Sequence, residues 1–185
     1  MQYHLTTPVT REDLAPLKAG DTVLLSGVVY TARDAAHKRL MELLDAGEPL
    51  PFPLEGSAIY YVGPTPERPG QVIGSAGPTT SGRMDAYSPR LLDLGQSIMI
   101  GKGARNQAVK DAVVRSGAVY LAALGGAGAL MAASVESLEV ICWEDLGCEA
   151  VRRLEVKDFP LTVILDAHGG DLYQAGPEAY LAAQK

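Results

Sequence analysis

The stretch SIMIGKGARNQAVKDAVVRSGAVYL, residues 97–121, predicts the fold class more directly than any other part of the chain. Residues 97–100 form a short apolar run typical of a buried strand, and residues 117–121 form another. Between these runs, residues 106–116 have the residue pattern of a helix. A strand, a helix and a second strand in this order predict a βαβ unit with parallel strands.

The alternation of short apolar runs and helical stretches continues on both sides of this unit. Strands are predicted at residues 21–27, 58–62, 71–76 and 138–142, helices at 32–44, 85–94 and 127–134, and proline-rich loops at 47–56 and 63–70. Residues 151–156 and 159–166 are predicted as two strands of an antiparallel hairpin, because only Lys157 and Asp158 separate them. Parallel units in the middle and antiparallel pairing at the end predict a single α/β domain with a mixed sheet, spanning residues 1–185.

The composition is that of a globular protein with an acidic surface. The 185 residues (19.5 kDa) are 47% hydrophobic and carry a formal net charge of −6. Such a charge disfavours binding to nucleic acids or to anionic membrane surfaces, since both depend on many cations. No secretion signal and no membrane-spanning stretch is expected, and two cysteines fit a reduced cytoplasm. At this length we expect one domain, without a second domain fused to it.

The common nucleotide and metal motifs are not found. Gly101-Lys102 is followed by Gly103, so a phosphate-binding P-loop is not expected, and neither glycine-rich loop has the third glycine of a dinucleotide site. Cys142 and Cys148 do not have the spacing of zinc or cluster ligands, and two ligands are too few to hold an iron–sulfur cluster. We therefore expect no metal site on this chain, and two reduced thiols.

Three loops that each connect an apparent strand to a helix contain a cation. In the first, Thr31 and Asp34 fit a capping box that begins a helix, which places Arg33 in the first turn, where the helix dipole disfavours a cation. This conflict favours an anion site that includes Arg33, although a simple surface ion pair explains it equally well. His37 lies one turn further along the same face, where it either supports the site or is an ordinary helix histidine.

The second loop, residues 74–85, contains several hydroxyls, three glycines and one guanidinium. Its hydroxyls and backbone N–H groups offer neutral donors, and Arg83 offers two parallel donors to a carboxylate. The simpler interpretation is a capped turn with Thr80 or Ser81 as the N-cap. The density of donors favours a binding role.

The third loop, residues 101–106, has Lys102 between two glycines, which permit close approach of a ligand to the backbone; a solvated lysine is the alternative. A fourth cluster, residues 125–128, is glycine-rich, and close backbone packing explains it better than an anion site. Cations gathered at strand-to-helix loops suit a small dianion such as a dicarboxylate. No nucleophile–base pair accompanies them, so the sequence predicts only half of an active site.

These same loops resemble the class I, iron–sulfur fumarases and L(+)-tartrate dehydratases, and specifically their β subunit or C-terminal domain. The resemblance extends over essentially the whole chain, and the matching stretches are TARDAAH (31–37), GPTTSGRMD (77–85), GKG (101–103), AALGGA (122–127) and LDAHGGDLY (165–173). The run at 77–85 is long and specific. Gly170 stands where the family pattern has Asn, which we expect to affect a turn more than the chemistry.

The resemblance implies a swivelling β/β/α fold, a hydro-lyase activity and an α-type partner subunit. It implies that the partner, not this chain, carries a [4Fe–4S] cluster, in a heterodimer or heterotetramer. It further implies that Arg33, Arg83 and Lys102 bind the substrate carboxylates and that Thr79 removes the C3 proton, with Lys102 assisting. Supporting roles are expected for Asp34, His37, Thr80 and Ser81.

The expected function is therefore the β subunit of an iron–sulfur fumarate hydratase, which interconverts fumarate and (S)-malate. An L(+)-tartrate dehydratase β subunit is the alternative within the family, because the substrates differ by one hydroxyl. A non-catalytic anion-binding or assembly module with the same fold is the alternative from another class.

Overall fold

A mixed seven-stranded sheet closes on itself into a ring of five strands. The computed structural model describes residues 1–123 and 127–183. The strands are β1 (Gln2–Thr7), β2 (Thr22–Thr31), β3 (Ala58–Tyr60), β4 (Ile98–Gly101), β5 (Val119–Ala122), β6 (Val135–Cys142) and β7 (Val151–Leu165). Their order is β1-β2-β3-β4-β5-β7-β6, and β7 also pairs with β2, which closes the ring. The pairs from β1 to β5 are parallel, whereas β7 is antiparallel to β2, β5 and β6. The α/β fold with one mixed sheet that the sequence predicted is confirmed.

Alternate residues of the ring strands supply two separate cores. Ala58 and Tyr60 on β3, like Ile98 and Ile100 on β4, belong to a cluster that contains residues of all five ring strands and fills the ring. Their neighbours Ile59 and Met99 belong to a second cluster, between the ring and the helices. Strands that are buried on both faces carry continuous apolar runs rather than alternating ones, and this is why the runs at 58–62 and 98–100 are apolar throughout.

The helices are α1 (Arg11–Leu14), α2 (Asp34–Ala46), α3 (Ser88–Asp93), α4 (Gln107–Ser116), α5 (Gly128–Ala133) and α6 (Leu172–Ala183). Two 3₁₀ segments, Ser81–Met84 and Glu144–Glu149, lie between them. No helix in the described part of the chain is long and apolar enough to cross a membrane.

The predicted βαβ unit at 97–121 is present. The Asn106 side chain accepts a hydrogen bond from the Val109 N–H (3.0 Å) and begins α4, and Gly117, with a φ of 71°, ends the helix. The buried face of α4 includes Val109, Ala112 and Val113. An Asn cap at one end and a left-handed glycine at the other are strong local signals, so this unit was readable from the sequence alone.

The predicted hairpin at residues 151–166 is wrong, because β7 is one uninterrupted strand. Asp158 adopts a left-handed conformation (φ 48°), and the register against β2 shifts between Leu25 and Gly27 at the same level. The two residues thus form a bulge, which bends the strand without reversing it. This bend lets the first half of β7 pair with β6 while the second half pairs with β5.

Other boundaries also differ from the predictions. Residues 71–76 form no strand and instead hydrogen-bond back to the preceding loop, as from Thr65 N to Ser75 O (3.1 Å). The helix expected at 85–94 is shorter, because α3 begins only at Ser88, where Pro89 fits its first turn. A separate 3₁₀ segment, Ser81–Met84, precedes it. The sequence did not predict β1, α1 or α6.

Candidate active site

All three cation-bearing loops meet at one edge of the ring. The first follows the carboxyl end of β2, and the third follows the carboxyl end of β4. The second is held between them: Thr79 N donates to Tyr61 O (2.8 Å), just beyond β3, and Thr80 forms a parallel bridge with Lys102. The carboxyl ends of neighbouring parallel strands are where α/β proteins place their ligands.

Four charged residues from three segments form a cluster at this edge, here called the site cluster: Arg33, Asp34, Arg83 and Glu149. Asp34 Oδ1 accepts a hydrogen bond from Arg83 Nε (2.8 Å), and Nη2 of Arg33 lies 3.2 Å from Glu149 Oε1. The Arg33 side chain is 19% exposed and that of Arg83 is 52% exposed. The two arginines are thus brought together around Asp34, with one of them facing solvent.

Several polar atoms of this cluster are buried yet make no hydrogen bond within the described residues. They are Arg33 Nε, Asp34 Oδ2 and, one turn further along α2, His37 Nε2. Buried polar atoms in folded proteins are nearly always paired with protein or water, so three such atoms around one helix start are unusual.

The capping box expected at Thr31 and Asp34 is not present. Arg33 is the N-cap of α2, and its side chain makes no capping bond. The Ala35 N–H donates instead to Glu149 Oε2 (3.0 Å), and the Thr31 hydroxyl accepts from Arg152 N (3.0 Å). A carboxylate from a distant segment therefore both satisfies the helix start and pairs with Arg33, which explains how a cation is tolerated there.

Glu149 is the member of the cluster that the sequence analysis missed. It is separated from Arg33 by most of the chain, and no local pattern marks it. Only the pairing of β7 with β2, which brings Tyr30 opposite Arg153, places the end of the Glu144–Glu149 segment beside α2.

Ser81 fixes the backbone of the third loop, residues 101–106, here called the lysine loop. Its N–H donates to Lys102 O (2.8 Å), and its Oγ accepts from Lys102 N (3.0 Å). The side chain of Ser81 is buried, whereas that of Lys102 is exposed. A Cβ on Gly101 would collide with Ser81 Oγ, so the close approach of the two loops requires glycine at this position. Thr79 is partly exposed and Thr80 is exposed beside this contact.

His37 is buried and neutral. Its Nδ1 lies 2.9 Å from Arg33 O and donates to it, because a carbonyl oxygen is only an acceptor. Burial lowers the pKa of His37 to about 4. The imidazole packs against the rings of Tyr61 and Tyr87, with ring centroids 5.4 and 5.9 Å away. His37 thus orients the start of α2 and carries no charge near neutral pH.

The donor set on this chain does not fit an iron–sulfur cluster. Cys142 is partly buried at the end of β6, and Cys148 is exposed in the following 3₁₀ segment. Burial raises the pKa of the Cys142 thiol, partly offset by Arg39, whereas cluster ligands are thiolates. Across residues 1–123 and 127–183, no three His, Cys, Asp or Glu side chains are grouped as a metal site requires.

The closing motif forms a backbone turn around one carboxylate. Asp166 accepts hydrogen bonds from the N–H groups of Ala19, His168 and Gly170 (2.8–2.9 Å), which lower its pKa against the opposing effect of burial. A Cβ on Gly170 would collide with Asp166 Oδ2. This turn therefore requires glycine at position 170.

The glycine-rich stretch at 125–128 lies partly outside the described residues, which resume at Ala127.

Comparison with known proteins gives the same family throughout. A family model described as Fumarase C-terminus matches residues 1–176. The chain is 43% identical over 152 residues to the anaerobic class I fumarate hydratase of Escherichia coli, an alignment that covers 81% of this chain and 28% of the relative. It is 41% identical over 165 residues to fumarate hydratase 2 of Leishmania major, covering 88% of this chain and 29% of the relative. The chain thus spans less than a third of these two enzymes.

A relative of similar length is a β subunit. The chain is 41% identical over 172 residues to the putative L(+)-tartrate dehydratase subunit beta of Methanocaldococcus jannaschii, and the alignment covers 90% of this chain and 88% of the relative. The named activities of these relatives are all hydro-lyase activities.

Proposed function

Because this chain belongs to the Fumarase C-terminus family, we propose that it is the β subunit of an iron–sulfur fumarate hydratase. In this proposal the chain is one catalytic domain that binds a dicarboxylate and helps to interconvert fumarate and (S)-malate. The observation that carries the proposal is the buried Arg33 Nε of the site cluster, a donor that has no hydrogen-bond partner in the described chain. A dicarboxylate brings the acceptor that a guanidinium requires.

Arg33 and Arg83 bind the substrate carboxylates. Both are already oriented by carboxylates of the protein, Arg33 by Glu149 and Arg83 by Asp34. Each guanidinium has five N–H donors in a planar fork, so a protein carboxylate on one side leaves donors for a substrate carboxylate. Asp34 and Glu149 therefore hold the cations in place before the substrate arrives, and this lowers the entropic cost of binding.

Thr79 and Lys102 serve the proton transfer. The Thr79 hydroxyl removes the C3 proton of malate and returns it to fumarate in the reverse direction. A hydroxyl is a weak base, so it needs help from a neighbouring cation. The Thr80–Lys102 bridge and the Ser81 hydrogen bonds hold the lysine loop against the second loop, residues 74–85, here called the threonine loop. This contact supports Lys102 in that role. Lys102 also stabilises the charge that develops on the substrate carboxylate.

An α-type partner subunit carries the [4Fe–4S] cluster in this proposal. The two cysteines of this chain do not suffice for it, and the family relatives include enzymes more than three times the aligned length. The chain and its partner form a heterodimer or heterotetramer in the cytoplasm, where both thiols stay reduced.

L(+)-tartrate dehydratase is the second candidate. It is favoured by the relative of similar length, which is a tartrate dehydratase β subunit. (S)-Malate and L(+)-tartrate are both dicarboxylates, and tartrate has one more hydroxyl. The same arginines therefore serve both reactions.

The test is turnover by the assembled enzyme. The chain is co-produced with an α-type subunit, the cluster is reconstituted anaerobically, and (S)-malate and L(+)-tartrate are compared at equal concentration. We expect higher kcat/KM with malate. A preference for tartrate supports the second candidate, and no turnover of either substrate, with the cluster intact by its visible absorbance, overturns both.

A further inference from the structure

A third arginine, outside the site cluster, is completely buried next to the same loops. The side chain of Arg105 is 0% exposed, and its Nε donates to Asp85 Oδ1 (2.5 Å). Its Nη2 donates to Ser88 Oγ (2.8 Å), and its guanidinium lies over the rings of Tyr61 and Tyr120, 5.5 and 5.0 Å from their centroids. Arg105 and Asp85 are called the buried pair below. A buried cation is tolerated only when it is paired and hydrogen-bonded, as here.

The buried pair joins the two loops that carry the proposed proton-transfer groups. Arg105 is three residues after Lys102, and Asp85 is two residues after Arg83. Asp85 also accepts a hydrogen bond from Asn106 N (2.6 Å) through its other oxygen. One carboxylate of the threonine loop thus holds both a side chain and the backbone of the lysine loop.

Tyr120, on strand β5 of the ring, contacts both the threonine loop and the lysine loop. Its hydroxyl lies 2.9 Å from Ser81 Oγ, which accepts from Lys102 N, and 2.9 Å from the O of Gly103, the residue after Lys102. Burial raises the pKa of Tyr120, so its hydroxyl stays protonated and remains a donor. Because Arg105 stacks on the ring of Tyr120, displacement of the guanidinium also disturbs the contacts of the Tyr120 hydroxyl with Ser81 and Gly103.

We propose that Arg105, paired with Asp85, is a positioning residue that holds Lys102 in register with Thr79 for proton transfer. This inference rests on the function proposed above. Arg105 does not touch the substrate, since its side chain is fully buried and its donors face protein atoms. A fold that needed only stability at this point would be served as well by apolar side chains of the same volume. The charged pair instead fixes direction and distance between two loops.

The experiment is a double-mutant cycle in the assembled enzyme, with Arg105→Lys and Lys102→Met alone and together. Lysine keeps the charge of Arg105 but has no fork to bridge Asp85 and Ser88. We expect Arg105→Lys to lower kcat/KM about 100-fold, the scale of a misplacement of roughly 1 Å. In the Lys102→Met background, the same change is expected to lower it by no more than about twofold, because the group being positioned is already gone.

Two variants complete the design. Arg115→Lys, at an exposed pair with Asp93 on neighbouring helices, is the matched control and should leave kcat/KM unchanged. If Arg105→Lys does not fold, judged by circular dichroism, Ser88→Ala replaces it in the cycle, with an expected loss of about tenfold for one charged hydrogen bond.

The outcomes separate this inference from the proposed function. Equal factors for Arg105→Lys in both backgrounds indicate a general structural role and overturn the inference alone. A wild-type enzyme that does not turn over dicarboxylates, or a Lys102→Met variant as active as wild type, overturns the proposed role of Lys102 and this inference with it.

Discussion

Two arginine–carboxylate clusters lie at the same edge of this molecule and differ mainly in their access to solvent. In the site cluster, Arg83 is about half exposed, and atoms of Arg33 and Asp34 have no hydrogen-bond partner in the described chain. In the buried pair, Arg105 is fully enclosed and Asp85 accepts bonds through both oxygens. The chemistry of the partners is the same in both.

The difference shows how one type of interaction serves two purposes. An ion pair open to water is weak and exchanges partners readily. Arg83 can therefore leave Asp34 for another carboxylate, or bind both carboxylates at once. A buried pair is costly to open, because either partner alone would be an uncompensated charge. The arginines of the site cluster can therefore exchange carboxylate partners, whereas the buried pair next to them keeps its partners.

The largest expected effect is on stability, from Asp85→Ala. This change leaves the Arg105 charge buried without its carboxylate, which costs about 3–5 kcal/mol of unfolding free energy. The matched variant, Asp93→Ala, opens the exposed pair with Arg115 and should cost less than about 1 kcal/mol. Urea unfolding of the chain measures both. Equal losses of unfolding free energy in the two variants would show that the buried pair stabilises the fold no more than an exposed ion pair does.

Next in size is the loss of activity from Arg83→Met and from Arg33→Met in the assembled enzyme. Each removes the proposed bidentate partner of a substrate carboxylate, a loss of about 2–5 kcal/mol in transition-state stabilisation. The unfolding free energy of Arg83→Met should stay within about 1 kcal/mol of wild type, since its pair with Asp34 is half exposed. Near wild-type kcat/KM in either variant removes that arginine from the site.

Thr79→Val is expected to lower kcat by about two orders of magnitude, the usual scale for general acid–base catalysis. Valine keeps the shape but has no hydroxyl, so wash-in of solvent deuterium at C3 of malate should be lost as well. Thr22→Val, at the amino end of β2 and on the opposite edge of the sheet, is the control. If deuterium exchange continues at the wild-type rate, Thr79 is not the base; a change confined to KM indicates binding only.

The last expected effect depends on pH and concerns His37, whose Nδ1 donates to Arg33 O. Burial lowers its pKa from 6.5 to about 4, so the unfolded chain takes up the proton first as pH falls. Its contribution is complete above about pH 6.5 and is lost toward pH 4, at no more than about 1.4 kcal/mol per pH unit.

The check is the pH dependence of the unfolding free energy of His37→Gln between pH 4 and 6.5. This variant should show a flatter decline than wild type on acidification. His4→Gln, on the exposed strand β1, controls for the loss of a histidine. A slope in His37→Gln as steep as in wild type would mean that other groups account for the acid sensitivity.

Local signals made part of this structure predictable. Asn106 and Gly117 mark the ends of α4, and the apolar runs beside it are buried strands, so the central βαβ unit followed from short-range chemistry. The loops with Arg33, Arg83 and Lys102 were found because cations stand out in an acidic chain, and their common edge follows from parallel pairing.

What the sequence did not reveal depends on contacts between distant segments. Glu149 caps α2 only because β7 pairs with β2, and no pattern near either residue indicates this. Lys157 and Asp158 had the composition of a turn, but the pairing of both halves of β7 with ring strands makes a bulge more favourable. Strand β1 was missed because half of its side chains face solvent, which leaves only a weak apolar pattern.

Because β7 closes the ring, the ring can form during synthesis only after β7 has left the ribosome. Thr22 of β2 pairs with Thr162, and Tyr120 of β5 pairs with Leu165. Both strands therefore stay unpaired on one side until residues near the end of the described chain are synthesised. Until those residues leave the exit tunnel, β2 and β5 present unpaired backbone to solvent, a template for pairing with other chains. Such long-range closure slows folding, and truncation before Val151 would leave both edges permanently open.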